Sequence, residues 1–221
     1  MEQSMSYNAL PKNIAILGIH TGIGKTVASA VIAEATGADY WKPVQAGDLE
    51  NSDTITIAKL LANGMARVHP EAVQLSQPMS PHAAANIDKV TVDYKSFVFP
   101  QTDKILIIET AGGIHSPMND TDTMVDFLSH YHLPTILISN NYLGSINHTL
   151  MSIEVMKARG INLLGIIING DRNNDSESFI EQYSKLPIIA HIPRFEELKH
   201  EHITQQALII QSALRQKTGH E

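Results

Sequence analysis

The sequence predicts an α/β protein with a doubly wound, mostly parallel sheet, and three observations predict it. Apolar, β-branched runs recur along the chain, and several are near-continuous, such as "ILIIET" (105–110) and "LLGIII" (163–168). Such runs suit strands covered on both faces. Segments with helical spacing alternate with them, the pattern of strand–helix–strand units feeding a parallel sheet. A glycine-rich turn, "GIHTGIGKT" (18–26), joins the first run to the first helical segment.

Taken in order, the first strand spans Asn13–Gly18 and the first helix Lys25–Ala35. A strand at Asp39–Pro43 and a helix at Thr54–Ala62 follow. Residues 64–101 break the rhythm with "QLSQPMSPHAAA", "VFPQTD" and prolines at 70, 78, 81 and 100. This stretch reads as an excursion with short helices, not a separate domain. The alternation resumes with strands at Lys104–Thr110, Pro134–Asn140, Leu163–Asn169 and Pro187–Ile192. Helices at Thr121–Tyr131, Ile146–Arg159, Ser176–Lys185 and His202–Gln216 follow these strands in turn. Right-handed crossovers would align the strands' carboxyl ends on one edge, where ligands bind. Residues 1–221 are expected to form one domain, with the first dozen residues loose.

Composition narrows the function classes. The net charge of -7 and the lack of a Lys/Arg block argue against a nucleic-acid partner. No apolar run approaches the roughly 18 residues of a membrane span, and the N-terminal stretch has no signal-peptide core. Zero cysteines exclude disulfides and thiol catalysis and are compatible with the reducing cytoplasm. The pairs His130/His132 and His200/His202 lack a third ligand at recognisable spacing, so no structural transition-metal site is expected.

The turn at 18–26 carries the chemistry. Gly22 and Gly24 let backbone amides approach phosphate oxygens, and the amides of 22–26 form an anion nest at a helix start. Lys25 is placed to bridge β- and γ-phosphates, and the Thr26 hydroxyl to bind Mg²⁺. Five residues separate Gly18 from Gly24, one more than the common phosphate loop has. His20 stands where DNA-partitioning ATPases carry an extra lysine, and no N-K-x-D base-reading motif follows. Both points disfavour a nucleotide-switched scaffold and a GTP switch.

Four further stretches fall at strand ends. "WKPVQAG" holds Lys42 either near the phosphate loop or as a surface lysine. Asp53 in "NSD" is either a helix N-cap, the commoner role for Asp, or a site carboxylate. Glu109 in "IIETAGG" ends a buried strand, where a carboxylate must be neutralised by Mg²⁺ or by a lysine. Gly112-Gly113 offer amides to an anion or carbonyl. In "GSINHT", Ser145 is a natural cap, and the free amides of its helix suit a carboxylate.

Together, "GIHTGIGKT", "KPVQAG", "NSD", "ETAGG" and "LGSINHT", with "SPHAA" (80–84), resemble the dethiobiotin synthases in order and spacing over roughly residues 14–195. The five-residue spacing is that family's own register. The resemblance implies a P-loop NTPase fold and an ATP- and Mg²⁺-dependent cyclo-ligase. It would convert 7,8-diaminononanoate and CO₂ to dethiobiotin through a carbamate and a carbamoyl-phosphate mixed anhydride. Lys25, Lys42 and Thr21 would act on phosphate and carbamate. Gly22, Ile23, Gly24, Lys25, Thr26 and Val27 would hold the phosphates, and Thr26, Asp53 and Glu109 would surround Mg²⁺. Asn169 would read adenine, with Pro193 and Glu197 lining the nucleoside. Lys42, Ala46, Gly112 and Gly113 would face the substrate's polar head. Its carboxylate tail would lie on Gly144, Ser145 and Asn147 of a partner subunit, which implies a homodimer with composite sites. Three departures stand out: Ile19 for the usual Thr, His20 for Asp, and Ala46 for Ser or Thr. A hydroxyl contact is thus missing at Ala46 unless Gln45 or water replaces it. Rival readings are another phosphate-loop amidoligase or kinase, and a partitioning-type ATPase.

Overall fold

The computed structural model of the chain describes residues 10–217. Nine strands and seven α-helices are seen among them. In chain order the first half gives β1 (Asn13–Gly18), α1 (Lys25–Thr36), β2 (Asp39–Trp41), β3 (Val44–Ala46), α2 (Asp53–Leu60), β4 (Val68–His69), β5 (Val73–Leu75) and α3 (Pro81–Asp88). The second half gives β6 (Leu106–Glu109), α4 (Met124–His130), β7 (Thr135–Ser139), α5 (Ser145–Ala158), β8 (Leu163–Asn169), α6 (Asn174–Ser184), β9 (Ile188–Ile192) and α7 (His200–Lys217). Seven strands form one parallel sheet in the order β4-β2-β6-β1-β7-β8-β9, as the near-continuous apolar runs predict.

The central strands β1, β6 and β7 are buried along almost their whole length. Helix α1 buries seven further residues beyond Lys25, most of them Ala or Ser, and so packs closely between the sheet and α7. β2 ends at Trp41, short of the predicted Pro43, because proline has no N–H for the ladder.

The excursion at 64–101 holds more than short helices. β4 adds an edge strand to the main sheet, and β5 pairs in parallel with β3 in a second, two-stranded sheet. These strands have two or three residues each, too short for a period-2 signal. Pro81 starts α3, where its missing N–H costs nothing. At the N-terminus, residues 1–9 of the segment expected to be loose lie outside the described residues. The rest of it is tied down: Leu10 packs on the core and Lys12 Nζ donates to Thr102 O at 2.6 Å.

Two helix starts bear on the sequence reading: one decides between the roles open to Asp53, and the other corrects the cap expected at Ser145. Ser52, not Asp53, caps α2, its Oγ accepting from the Ile55 amide at 3.3 Å. Asp53 is the first helical residue, and its carboxylate is released for other work. Gly144, at φ +103°, is the N-cap of α5, and Ser145 is its first residue. A left-handed φ at that cap favours glycine, so serine could not replace it without strain.

Candidate active site

The phosphate loop is shaped by its glycines and by one strand-end asparagine. Gly22 and Gly24 have φ of +74° and +90°, and α1 begins at Lys25. A Cβ on Gly24 would come within 2.0 Å of Asn169 Nδ2. Asn169, at the end of β8, donates that nitrogen to Ile23 O at 3.0 Å. It thus staples the loop. The Ile23 side chain is buried in the core, so this residue can offer only backbone to phosphate, while Thr21 and Gly22 are exposed. Val27 is half-buried one turn into α1.

Behind the loop sits a buried cluster of charges. β2 brings Tyr40 and, just past its end, Lys42 to the same face, two residues apart. β6 ends on Glu109, and α2 begins on Asp53. Thr26 Oγ1 lies 2.7 Å from Asp53 Oδ1 and 3.0 Å from Glu109 Oε1, so one hydroxyl proton serves two carboxylates. Lys42 Nζ pairs with Asp53 Oδ2 and lies 3.4 Å from Glu109 Oε1. Tyr40 OH donates to Glu109 Oε2 at 3.0 Å. Burial and the Glu109 charge push the tyrosine well above its ordinary pKa, so it stays a neutral donor.

The two lysines differ electrically. Lys25 is 7% exposed, and among the described residues its Nζ has only a long contact, 3.4 Å, to His20 O. Burial lowers its pKa, and the Glu109 charge opposes that only in part. Lys42 is as deeply buried, which alone would lower its pKa, but Glu109 and Asp53 outweigh the burial and raise it. Burial would raise the Asp53 pKa, yet the Lys42 charge and hydrogen bond hold it below the usual range. The three oxygens of Thr26, Asp53 and Glu109 are hard donors converging beside a phosphate nest, which fits Mg²⁺.

Gln45 has both ends engaged. Its Nε2 donates to Gly47 O at 2.9 Å and its Oε1 accepts from the Asp53 amide at 3.3 Å. It therefore fixes Asp53 and does not stand in for the hydroxyl absent at half-buried Ala46. The loop after β6 turns through Gly112, φ +72°. The Gly113 amide is not open as expected: it donates to Ser116 Oγ at 2.7 Å.

A cleft of about 430 Å³ separates the phosphate loop from α5. Thr21, Gly113 and Ser116 line one side, and His148, Met151 and Val155 the other. At the start of α5, Ser145 is 1% exposed, its Oγ facing the Tyr142 amide at 3.4 Å, while Gly144 and Asn147 are exposed. The Tyr142 ring stands 5.4 Å from that of His20, edge to face, and its hydroxyl is 2.5 Å from His148 Nδ1. Pro193 follows β9, beside Asn169, because the Gly170 amide donates to Ile192 O at 2.8 Å. Glu197 is on the surface and pairs with Lys199 at 2.8 Å.

The structure thus brings Lys25, Thr26, Lys42, Asp53 and Glu109 together, and sets Asn169 against the loop at Ile23 and Gly24. Sequence reasoning missed Tyr40, and it named Gln45 only as a stand-in for the hydroxyl absent at Ala46, not as the residue that holds Asp53. Tyr40 was legible in principle, since it shares the Lys42 face of a buried strand, and a buried tyrosine hydroxyl needs a partner.

The family model described as an AAA domain matches residues 12–202. The septum site-determining protein MinD of Pyrococcus horikoshii, complexed with Mg-ADP, is similar in structure with a TM-score of 0.58. It is 15% identical, with 94% of this chain and 97% of that one covered, a likeness of fold alone. The fold is that of the P-loop NTPases. The ATP-dependent dethiobiotin synthetase BioD of Christiangramia forsetii is 47% identical over 192 residues, covering 86% of this chain and 92% of its own length. That of Cytophaga hutchinsonii is 43% identical over 198 residues, covering 89% and 96%. With the phosphate loop, both lysines and both carboxylates gathered at one sheet edge, the chain belongs to the ATP-dependent dethiobiotin synthetase family.

Proposed function

We propose that the chain closes the cyclic urea of dethiobiotin from 7,8-diaminononanoate, CO₂ and ATP, releasing ADP and phosphate. The observation that carries this is the buried Lys42–Asp53–Glu109–Thr26 cluster, which holds a second lysine and a hard-oxygen triad directly behind the phosphate nest.

One substrate amine adds to CO₂ and loses a proton, giving a carbamate. A carbamate oxygen attacks the γ-phosphorus and ADP leaves. The second amine then attacks the carbamoyl carbon, and phosphate leaves as the ring closes. The protein needs no nucleophile for this; it orients reactants and neutralises charge. The amides of residues 22–26 and Lys25 take the β- and γ-phosphates. Thr21, exposed on the loop and lining the cleft, orients the carbamate. Lys42 swings from its carboxylates toward the carbamate and γ-phosphate. Thr26, Asp53 and Glu109 hold Mg²⁺, which supplies Lewis-acid neutralisation of the phosphates. Asn169 reads the base with Pro193 beside it. Glu197 keeps a ribose role only by giving up Lys199. Such an enzyme works on small cytoplasmic metabolites. Labelled bicarbonate supplied with the diamine and ATP is expected to yield one labelled cyclic urea per ADP. ADP formed without labelled urea would exclude this function.

The substrate's carboxylate is placed at Gly144–Asn147 of a partner subunit in a homodimer. Leu143 and Met151, 103% and 56% exposed beside this helix start, offer an apolar face for that partner. Lys42→Ala and Asn147→Ala proteins should each be impaired. Refolded together one to one, they form about half mixed dimers, in which one site carries both changes and the other neither. Activity should then recover to roughly one quarter of wild type by that pairing. No recovery from demonstrably mixed dimers would place the whole site within one subunit.

A further inference from the structure

Two buried carboxylates, Asp39 and Glu177, take no part in the chemistry above. Glu177, in the first turn of α6, is 4% exposed and yet meets four donors. Its Oε1 accepts from Asn141 Nδ2 at 2.9 Å, from the Asn173 amide at 2.8 Å and from His191 Nε2 at 3.1 Å. Its Oε2 accepts from Arg172 at 3.0 Å. Asn141 Nδ2 also donates to Asp171 O at 2.9 Å. These donors come from three strand ends: Asn141 follows β7, residues 171–173 follow β8, and His191 lies near the end of β9.

The helix start accounts for only one of these contacts, the bond from the Asn173 amide. The N-cap of α6 is Asn173, whose Oδ1 accepts from the Ser176 amide at 3.0 Å. A buried carboxylate with incomplete partners would be costly, so four converging donors mark a site whose geometry is specified. Burial would raise the Glu177 pKa, but the Asn173 amide, His191, Arg172 and Asn141 together hold it low, and the group stays ionised as the acceptor for all four. The loop on one side of this clamp leads into Gly144 and α5. The strand on the other side ends in Asn169, the loop staple.

We infer that Glu177 is a positioning residue that clamps the β7–α5 and β8–α6 loops together, fixing at once the base end of its own subunit's nucleotide site and the helix start that takes the diamine's carboxylate in the partner's site. This rests on the roles of Asn169 and Gly144–Asn147 proposed above. The clamp works in the ground state, so its loss weakens binding of both substrates and leaves the chemical step nearly intact.

The test is steady-state kinetics on the full chain. Glu177→Gln keeps the shape but turns one acceptor oxygen into a donor facing existing donors. KM for ATP and KM for the diamine should each rise about 10-fold, the size of one lost charge-assisted hydrogen bond, with kcat within about two-fold. Asn141→Ala removes only the β7 arm and should raise the diamine KM while sparing that of ATP. Asn169→Ala and Asn147→Ala report the base and tail contacts directly. If these two raise their respective KM values and Glu177→Gln raises neither, the clamp is only structural and the inference is overturned. If Asn169→Ala and Asn147→Ala are themselves silent, the site assignment beneath falls, and the inference with it. Should Glu177→Gln fail to fold, Arg172→Ala carries the test, because that side chain is 65% exposed. A rise of about three-fold in the ATP KM, a fraction of one such bond, supports the clamp, and no change overturns it.

Discussion

Replacing Lys25 by methionine is expected to cut turnover about 10³-fold while leaving the unliganded protein at least as stable as the wild type. The first half follows from position: Lys25 opens α1 at the phosphate nest, where charge on the transferring group must be met by fixed donors. The second half follows from what Lys25 lacks when no nucleotide is bound. Its ammonium is buried with a single long contact among the described residues, and burial lowers its pKa. A lysine whose folded pKa lies below the ordinary 10.5 is held less tightly protonated in the native state. The native state is therefore penalised at all pH below the folded value, and the penalty fades as pH rises toward 10.5. Methionine has similar length and no charge, so it removes the penalty where it is largest, at neutral pH. Urea denaturation of the unliganded proteins at neutral pH checks the stability arm, and ADP release checks the other. Turnover near that of wild type would end the phosphate assignment. A marked loss of stability would mean that Lys25 has a partner in the unliganded fold.

Much of this site was legible because it rests on strand ends and a loop whose residue types are forced. The near-continuous apolar runs placed β1, β6, β7 and β8 on the sheet, and Lys25, Thr26 and Glu109 followed from where those runs stop, whereas Lys42 stayed open until the resemblance assigned it. Asp53 was harder. An Asp before a helix usually caps it, and only the geometry shows that Ser52 has that task. Three features depend on side-chain contacts that local pattern does not carry, and of these only the Glu177 clamp joins segments distant in sequence. They are the Glu177 clamp, the Gln45 hold on Asp53, and the Ser116 hydroxyl that occupies the Gly113 amide. The short strands β3, β4 and β5 escaped for a different reason. With two or three residues each, their pairing is decided by neighbours, not by their own periodicity.

Lys42→Met is expected to behave as the mirror image of Lys25→Met: activity is lost, and so is stability. The Lys42 ammonium is the partner of two carboxylates, Asp53 and the almost fully buried Glu109. Removing it leaves those two facing each other across the Thr26 hydroxyl, whose one proton they share, with the Tyr40 proton as the other close donor to Glu109. Breaking one side of a buried ion pair costs about 3–5 kcal/mol. For a chain of this size that lowers the melting temperature by about 10 °C. The same oxygens are the proposed Mg²⁺ ligands, which gives the variant a signature that a mere packing defect would lack. In the wild type, Lys42 already neutralises the cluster, so millimolar Mg²⁺ without nucleotide should shift melting little. In Lys42→Met, Mg²⁺ alone should recover several degrees, because a divalent cation binding only the native state stabilises it by mass action. Calcium, larger and less suited to a tight three-oxygen corner, should recover less. Melting curves with and without each ion decide the matter. An undiminished melting temperature in Lys42→Met would show that Asp53 and Glu109 do not depend on Lys42. A destabilised variant that Mg²⁺ leaves unchanged would separate Thr26, Asp53 and Glu109 from the metal, and the neutralising cation of this site would then be Lys42 itself.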